Sequence, residues 1–165
     1  MPFVYDLALA TAGSSTTNGS ANTESSVFSC ATAAALPSNT VNLFMCSVQG
    51  KAAAATTITG IGFRVILLTT ASATTGGTGV TPRPTNIGTP AATSVVFSAV
   101  TTIGATGRTN HMIFGCGAAG PGGWVAANPD AQATLHPTAT AGSIDLVSVS
   151  AGTSLAFEWS AQISE

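Results

Sequence analysis

Apolar and polar residues alternate with a period of two along much of this chain, the signature of strands that bury one face. Phe3, Tyr5, Leu7 and Leu9 alternate with Val4, Asp6, Ala8 and Ala10. Residues 27–31 form a short candidate strand. Residues 41–48 are apolar on both faces, with Leu43 and Met45 on one and Phe44, Cys46 and Val48 on the other. That predicts a central strand buried on both sides. Ile61, Phe63, Val65 and Leu67 mark one face of a strand running to about residue 70, and Gly62, Arg64, Ile66 and Leu68 mark the other. Residues 95–102, 111–115 and 124–127 follow as further candidates. The clearest alternation is the last, where Leu155, Phe157, Trp159, Ala161 and Ile163 interleave with Ala156, Glu158, Ser160 and Gln162. It predicts a half-buried strand whose polar face meets solvent or a partner. Residues 143–150 precede it, and Ala151-Gly152-Thr153 reads as the three-residue loop of a closing hairpin. Phe44, Phe63, Val65, Leu67, Leu155, Phe157 and Trp159 are the expected core.

Helix signals are scarce. The alanine runs at 31–36 and 51–55 are too short to stand alone and are flanked by Thr, Gly or Pro. Eight or nine strands with Gly-, Pro- and Thr-rich connections predict an all-β, two-sheet sandwich. A jelly roll of about eight strands is favoured, because the long connections suit crossings between sheets. Residues 1–165 read as a single domain. Within it, 11–26 is expected to be a flexible loop or arm. The Gly/Pro tract 74–90 should lie as a stiff strap, since its prolines fix an extended backbone. Residues 115–123 hold five glycines and Pro121 and predict a tight, close-packed turn region.

Composition narrows the function. Only 6% of the 165 residues are charged, against about 25% in an ordinary soluble domain. Lys51, Arg64, Arg83 and Arg108 stand singly and could not neutralise the roughly 6–10 phosphates that sustain nucleic-acid binding. A polybasic membrane surface is missing for the same reason. Mean hydropathy is +0.43, so the Ala, Thr, Ser and Gly that make up more than half the chain belong to a folding sequence rather than a disordered one. A surface of small uncharged side chains suits a subunit packed into a larger assembly, where few long side chains need ordering. No secretory signal is read at Met1-Pro2-Phe3, and no apolar run approaches about 18 residues. Cys30, Cys46 and Cys116 are odd in number and lack metal spacing, which predicts buried free thiols in a reducing cytoplasm.

The candidate chemistry is thin. Gly115, Gly117 and Gly120 match G-x-G-x-x-G, but Pro121-Gly122-Gly123 follows where a dinucleotide site needs a helix. His111, Cys116 and His136 have no paired zinc spacing. No G-x-S-x-G occurs. Asp145 and Glu158 are the best carboxylate pair, since the expected final hairpin brings their strands together, and Arg64 is expected to find an acidic partner or a subunit contact. No catalytic residue, cofactor or metal ligand is assigned, and the chain is not expected to be an enzyme.

Two stretches carry a resemblance. Thr74-Thr75-Gly76-Gly77-Thr78-Gly79-Val80-Thr81-Pro82, continuing through Gly88-Thr89-Pro90-Ala91-Ala92, is similar to a strap in small structural proteins of tailed bacteriophages. Gly123-Trp124-Val125, Pro129-Asp130 and Ser143-Ile144-Asp145-Leu146-Val147-Ser148-Val149-Ser150, ending in Leu155-Ala156-Phe157-Glu158-Trp159, resembles the closing jelly-roll half of the same group. The resemblance implies a virion component, foremost a decoration or cement protein on the capsid exterior that bridges major capsid subunits, assembled in the host cytoplasm. A head-fibre or tail or neck spike domain binding a host receptor is the alternative. The expected partners are the major capsid protein and two further copies in a homotrimer, with no nucleic acid and no membrane. Phe3, Val4, Tyr5, Leu7 and Arg83 are the candidate protomer or capsid contacts, because an extended N-terminal edge can pair with a neighbour through its backbone.

Overall fold

A computed structural model describes residues 2–8, 15–16, 24–31, 40–50, 61–69, 77–100, 102–104, 107–117, 120–136, 142–149 and 156–165. In chain order the strands are β1 (Val4–Ala8), β2 (Ser15–Thr16), β3 (Glu24–Ala31), β4 (Val41–Gly50), β5 (Ile61–Leu68), β6 (Thr78–Val80) and β7 (Arg83–Pro84). They continue with β8 (Val95–Ser98), β9 (Thr109–Cys116), β10 (Pro121–Val125), β11 (Ala133–Leu135), β12 (Ser143–Val149) and β13 (Ala156–Ser164). A 3₁₀ turn, Pro129–Ala131, is capped by the Asn128 side chain, which accepts from the Ala131 N–H.

The strands form a two-sheet antiparallel sandwich. One sheet runs β10-β4-β13-β1-β7, with β11 also on β4 and β2 also on β13; the other runs β6-β8-β3-β12-β5-β9. This order is compatible with a jelly roll. The core lies between the sheets. Phe28, Phe63 and Leu146 from the six-stranded sheet meet Leu7, Phe157, Trp159 and Ile163 from the seven-stranded one, all buried. Phe63 packs edge-on against Phe157 at 5.3 Å, and Phe28 lies 4.9 Å from Trp159. Val65 is fully buried, Leu67 is half-buried against the same core, and Leu155 lies outside the described residues.

Two expectations are corrected. Residues 143–150 and 155–163 do not form a hairpin. β12 pairs with β3 and β5 in one sheet, whereas β13 pairs with β1, β2 and β4 in the other. The physical reason lies in their faces. β12 is buried on both, with Ile144 and Leu146 inward and Val147 outward, so it takes a central place. The half-exposed Glu158, Ser160 and Gln162 of β13 instead need a sheet with an open outer face. β4, in turn, is not buried on both sides. Gln162 faces Met45 but Ile163 faces Leu43, so Phe44 is the extra residue of a bulge. The bulge switches the inward set from Val41 and Leu43 to Cys46 and Val48 and leaves Phe44 and Met45 half-buried.

The glycine- and proline-rich stretches close the flanks. β6 pairs with β8 in the six-stranded sheet and β7 with β1 in the other, so the strap carries the chain across one side of the sandwich at Thr81-Pro82. On the opposite side β9 and β10 are the outermost strands of their sheets. There a methyl group on Gly122 would collide with the Gly115 carbonyl, and one on Gly123 would sit 2.7 Å from the Cys46 carbonyl oxygen. Within 11–26, Ser15–Thr16 and the stretch from Glu24 onward are strand rather than loop. The remainder lies outside the described residues.

Candidate contact surface

The two sheets differ in what covers their outer faces. On the six-stranded sheet, Ile66, Leu68 and Val147 point outward yet are buried, because Ile103 from the connection between β8 and β9 packs on them. Beside them Glu24 accepts from both Arg64 and Arg108, the Arg64 contact at 3.2 Å. Arg64 thus has the acidic partner expected for it. Asp145 is fully buried on this face and accepts the Ser29 hydroxyl proton at 2.7 Å. Glu158 is on the other sheet, so the carboxylate pair of the expected hairpin is not assembled. This face is largely occupied by its own chain.

The outer face of the seven-stranded sheet is partly exposed, and most of its described side chains on β1, β13, β4 and β11 are polar. Across β1, β13, β4 and β11 its side chains form separate cross-strand pairs. Gln162 donates to Asp6 at 2.7 Å, Ser160 and Ser47 share a hydrogen bond of 3.1 Å, and Thr134 donates to Asn42 at 2.9 Å. Cross-strand bonds between short side chains fix their rotamers, so little entropy is left to lose when a partner covers them. Arg83 is exposed at the β7 edge, opposite Asp6, beside a shallow groove of about 320 Å3 that also touches Met45 and Ser160.

The expected contact residues separate into two sets. Tyr5 and Leu7 are buried in the chain's own core, and β1 is paired with β13 on one side and, at Tyr5 and Asp6, with β7 on the other. The strand therefore closes its own sandwich instead of offering a free edge, which removes Tyr5 and Leu7 as contacts. Phe3, Val4 and Arg83 stay at the surface. Ile87, which sequence reasoning missed, is fully exposed on the strap next to Phe3. A lone isoleucine between Asn86 and Gly88 carries no periodicity, so only its position in space reveals it.

The remaining chemical groups are tied into the fold. His111 donates from Nε2 to the Ala131 carbonyl at 2.9 Å and stacks edge-on with Trp124, while His136 lies 3.5 Å from the Thr40 hydroxyl. All three cysteines are buried and free. Burial pushes the Cys30 thiol up to about 12 and raises those of Cys46 and Cys116 as well. Among the described residues no three His, Cys, Asp or Glu side chains are grouped to hold a metal ion.

Comparison of the chain with protein-family models, with curated proteins and with solved structures gave no match.

Proposed function

We propose that this chain is a non-enzymatic structural subunit of a bacteriophage virion, a cement or decoration protein that seats on the capsid exterior and bridges major capsid subunits. The observation that carries the reading is the combination of a nearly charge-free sequence with a partly exposed sheet face whose small polar side chains are already bonded to one another. The likeness of the strap and of the closing strands to tailed-phage structural proteins supplies the setting. Such a face suits a broad contact of many weak hydrogen bonds, with Asp6, Glu158 and Arg83 as the charges it would have to desolvate or pair. On a lattice that repeats one site many times, modest affinity per copy becomes firm attachment once copies are linked in a homotrimer.

Quantitative gel densitometry of purified virions against the major capsid protein tests this reading. Hundreds of copies per particle support a cement protein. A dozen or fewer favour the head-fibre or spike alternative, and absence from the particle overturns both.

A further inference from the structure

The strap is attached to the two sheets in different ways. β6 and β8 pair antiparallel with Val80 opposite Val96, both buried. Residues 81–94 are therefore the long loop of one hairpin, with both ends anchored in the six-stranded sheet. The body of the loop reaches across to the seven-stranded sheet and lies there on hydrogen bonds. β7 pairs with β1 at Tyr5 and Asp6. The Thr85 N–H and hydroxyl both donate to the Val4 carbonyl at 3.1 Å, and the Tyr5 hydroxyl donates to the Pro90 carbonyl at 3.1 Å. At the far end the Glu165 carboxylate accepts from the Thr93 N–H at 2.9 Å, the Thr93 hydroxyl at 2.6 Å and the Ser94 N–H at 2.8 Å. Apolar packing adds little. From Thr81 to Thr93 no residue is buried, and only Pro82, Thr89 and Ala92 are half-buried. A groove of about 320 Å3 lies between the turn at 86–89 and the start of β1 at Phe3 and Val4. Segments held by exposed hydrogen bonds over few buried contacts open locally, before the fold as a whole.

We infer that residues 81–94 form a flap that opens as one unit about the β6–β8 hairpin, with the Glu165 carboxylate as its latch, and that opening bares the backbone edge of β1. This device is independent of what the chain assembles with. Charge sets the latch apart from the other ties. The bonds at Val4 and Pro90 join neutral groups, whereas three donors converge on Glu165, and hydrogen bonds to an ionised group are about twice as strong. Those donors outweigh burial and hold the carboxyl below its ordinary value of 4.5. The latch is therefore closed above that range and is released as the pH falls through the lowered value. Its neighbours do not titrate with it. Tyr5 on β1 and Cys30 on β3 both feel Glu165 but stay neutral, because burial raises each of them. Asp145 also acts on Cys30, from the outer face of the opposite sheet. Asp6, opposite Arg83, accepts from Gln162 of its own sheet. With the flap closed, β1 has a strand on either side at Tyr5 and Asp6. With it open, the Val4 carbonyl and the backbone of Tyr5 and Asp6 become an uncovered edge, the kind of edge to which an extended strand adds.

Amide hydrogen exchange resolved by NMR tests the flap on the unaltered chain and on Glu165→Gln, which keeps the shape of the side chain and imitates its protonated form. The reporter is the Thr85 N–H, which bonds to Val4 and not to Glu165. Leu146, on a central strand of the six-stranded sheet, reports the fold as a whole. In the unaltered chain the protection of Thr85 should fall at least about tenfold relative to Leu146 between about pH 6 and about pH 3, as for the loss of one charged hydrogen bond. Glu165→Gln should show the lowered protection already at about pH 6, with no further fall in acid. Faster exchange at Thr93 and Ser94 with Thr85 unchanged means that the contact is local, and overturns the flap. An equal loss at Leu146 means general unfolding and overturns it as well. An acid response that persists in Glu165→Gln assigns the latch to another carboxylate, Asp6 foremost, and overturns the role of Glu165.

Discussion

Trp159 sits at the centre of the residue-scale energetics. Its ring is buried against Phe28, yet among the described residues its indole N–H has no hydrogen-bond partner. Two effects oppose each other there: the packing of a large ring, and an unpaired donor that costs about 1–3 kcal/mol. Trp159→Ala removes the ring and should destabilise the fold by about 3–5 kcal/mol in urea titration. Trp159→Phe keeps most of the packing and deletes the orphan donor, so its loss should stay below about 1.5 kcal/mol. A loss for Trp159→Phe well above about 1.5 kcal/mol would show that the indole nitrogen is paired after all. Glu165 makes a second test at this scale. Partial burial alone would raise its carboxyl, but donors on Ser94 and Thr93 outweigh burial and hold it below the ordinary value of 4.5. A folded-state value below the unfolded one means the stabilisation is complete above pH about 4.5 and drains away as the pH falls through the lowered value. The melting midpoint of the parent should therefore drop more between about pH 5 and about pH 3 than that of Glu165→Gln.

At the scale of elements, the sandwich was legible wherever one strand kept one face. β13 and β5 follow their alternation without interruption, and Phe157, Trp159, Phe63 and Val65 are buried accordingly. The reading failed where a neighbour decides. Nothing in the sequence marks Phe44 as a bulge, because bulges arise from the register of a partner strand. The final hairpin failed for a related reason: Ala151-Gly152-Thr153 suits a tight turn, but β12 is apolar outward as well as inward and is drawn to the middle of the opposite sheet. Strands of two or three residues, such as β7 and β11, are too short to show a period. Close backbone approach, by contrast, was readable as glycine density, and it predicts a contrast between two substitutions. Gly122→Ala drives a methyl group into the Gly115 carbonyl and should cost about 1–3 kcal/mol, whereas Gly79→Ala meets nothing within 4 Å and should change stability by less than about 0.5 kcal/mol.

For the whole molecule, the decisive element is the N-terminal strand, because its placement determines which surfaces remain for partners. β1 inserts between β13 and β7 and buries Tyr5 and Leu7, while the Tyr5 hydroxyl donates to the Pro90 carbonyl and Phe3 exchanges backbone hydrogen bonds with Glu165. Losing two large core side chains costs about 2–5 kcal/mol each, against a total stability of about 5–15 kcal/mol. The backbone edges of β13 and β7 would also be bared. Deleting residues 1–8 should consequently yield an unfolded chain, with collapsed amide dispersion in its NMR spectrum and no cooperative melting transition. A truncated protein that stays folded and only loses its oligomeric state would place the strand between protomers instead.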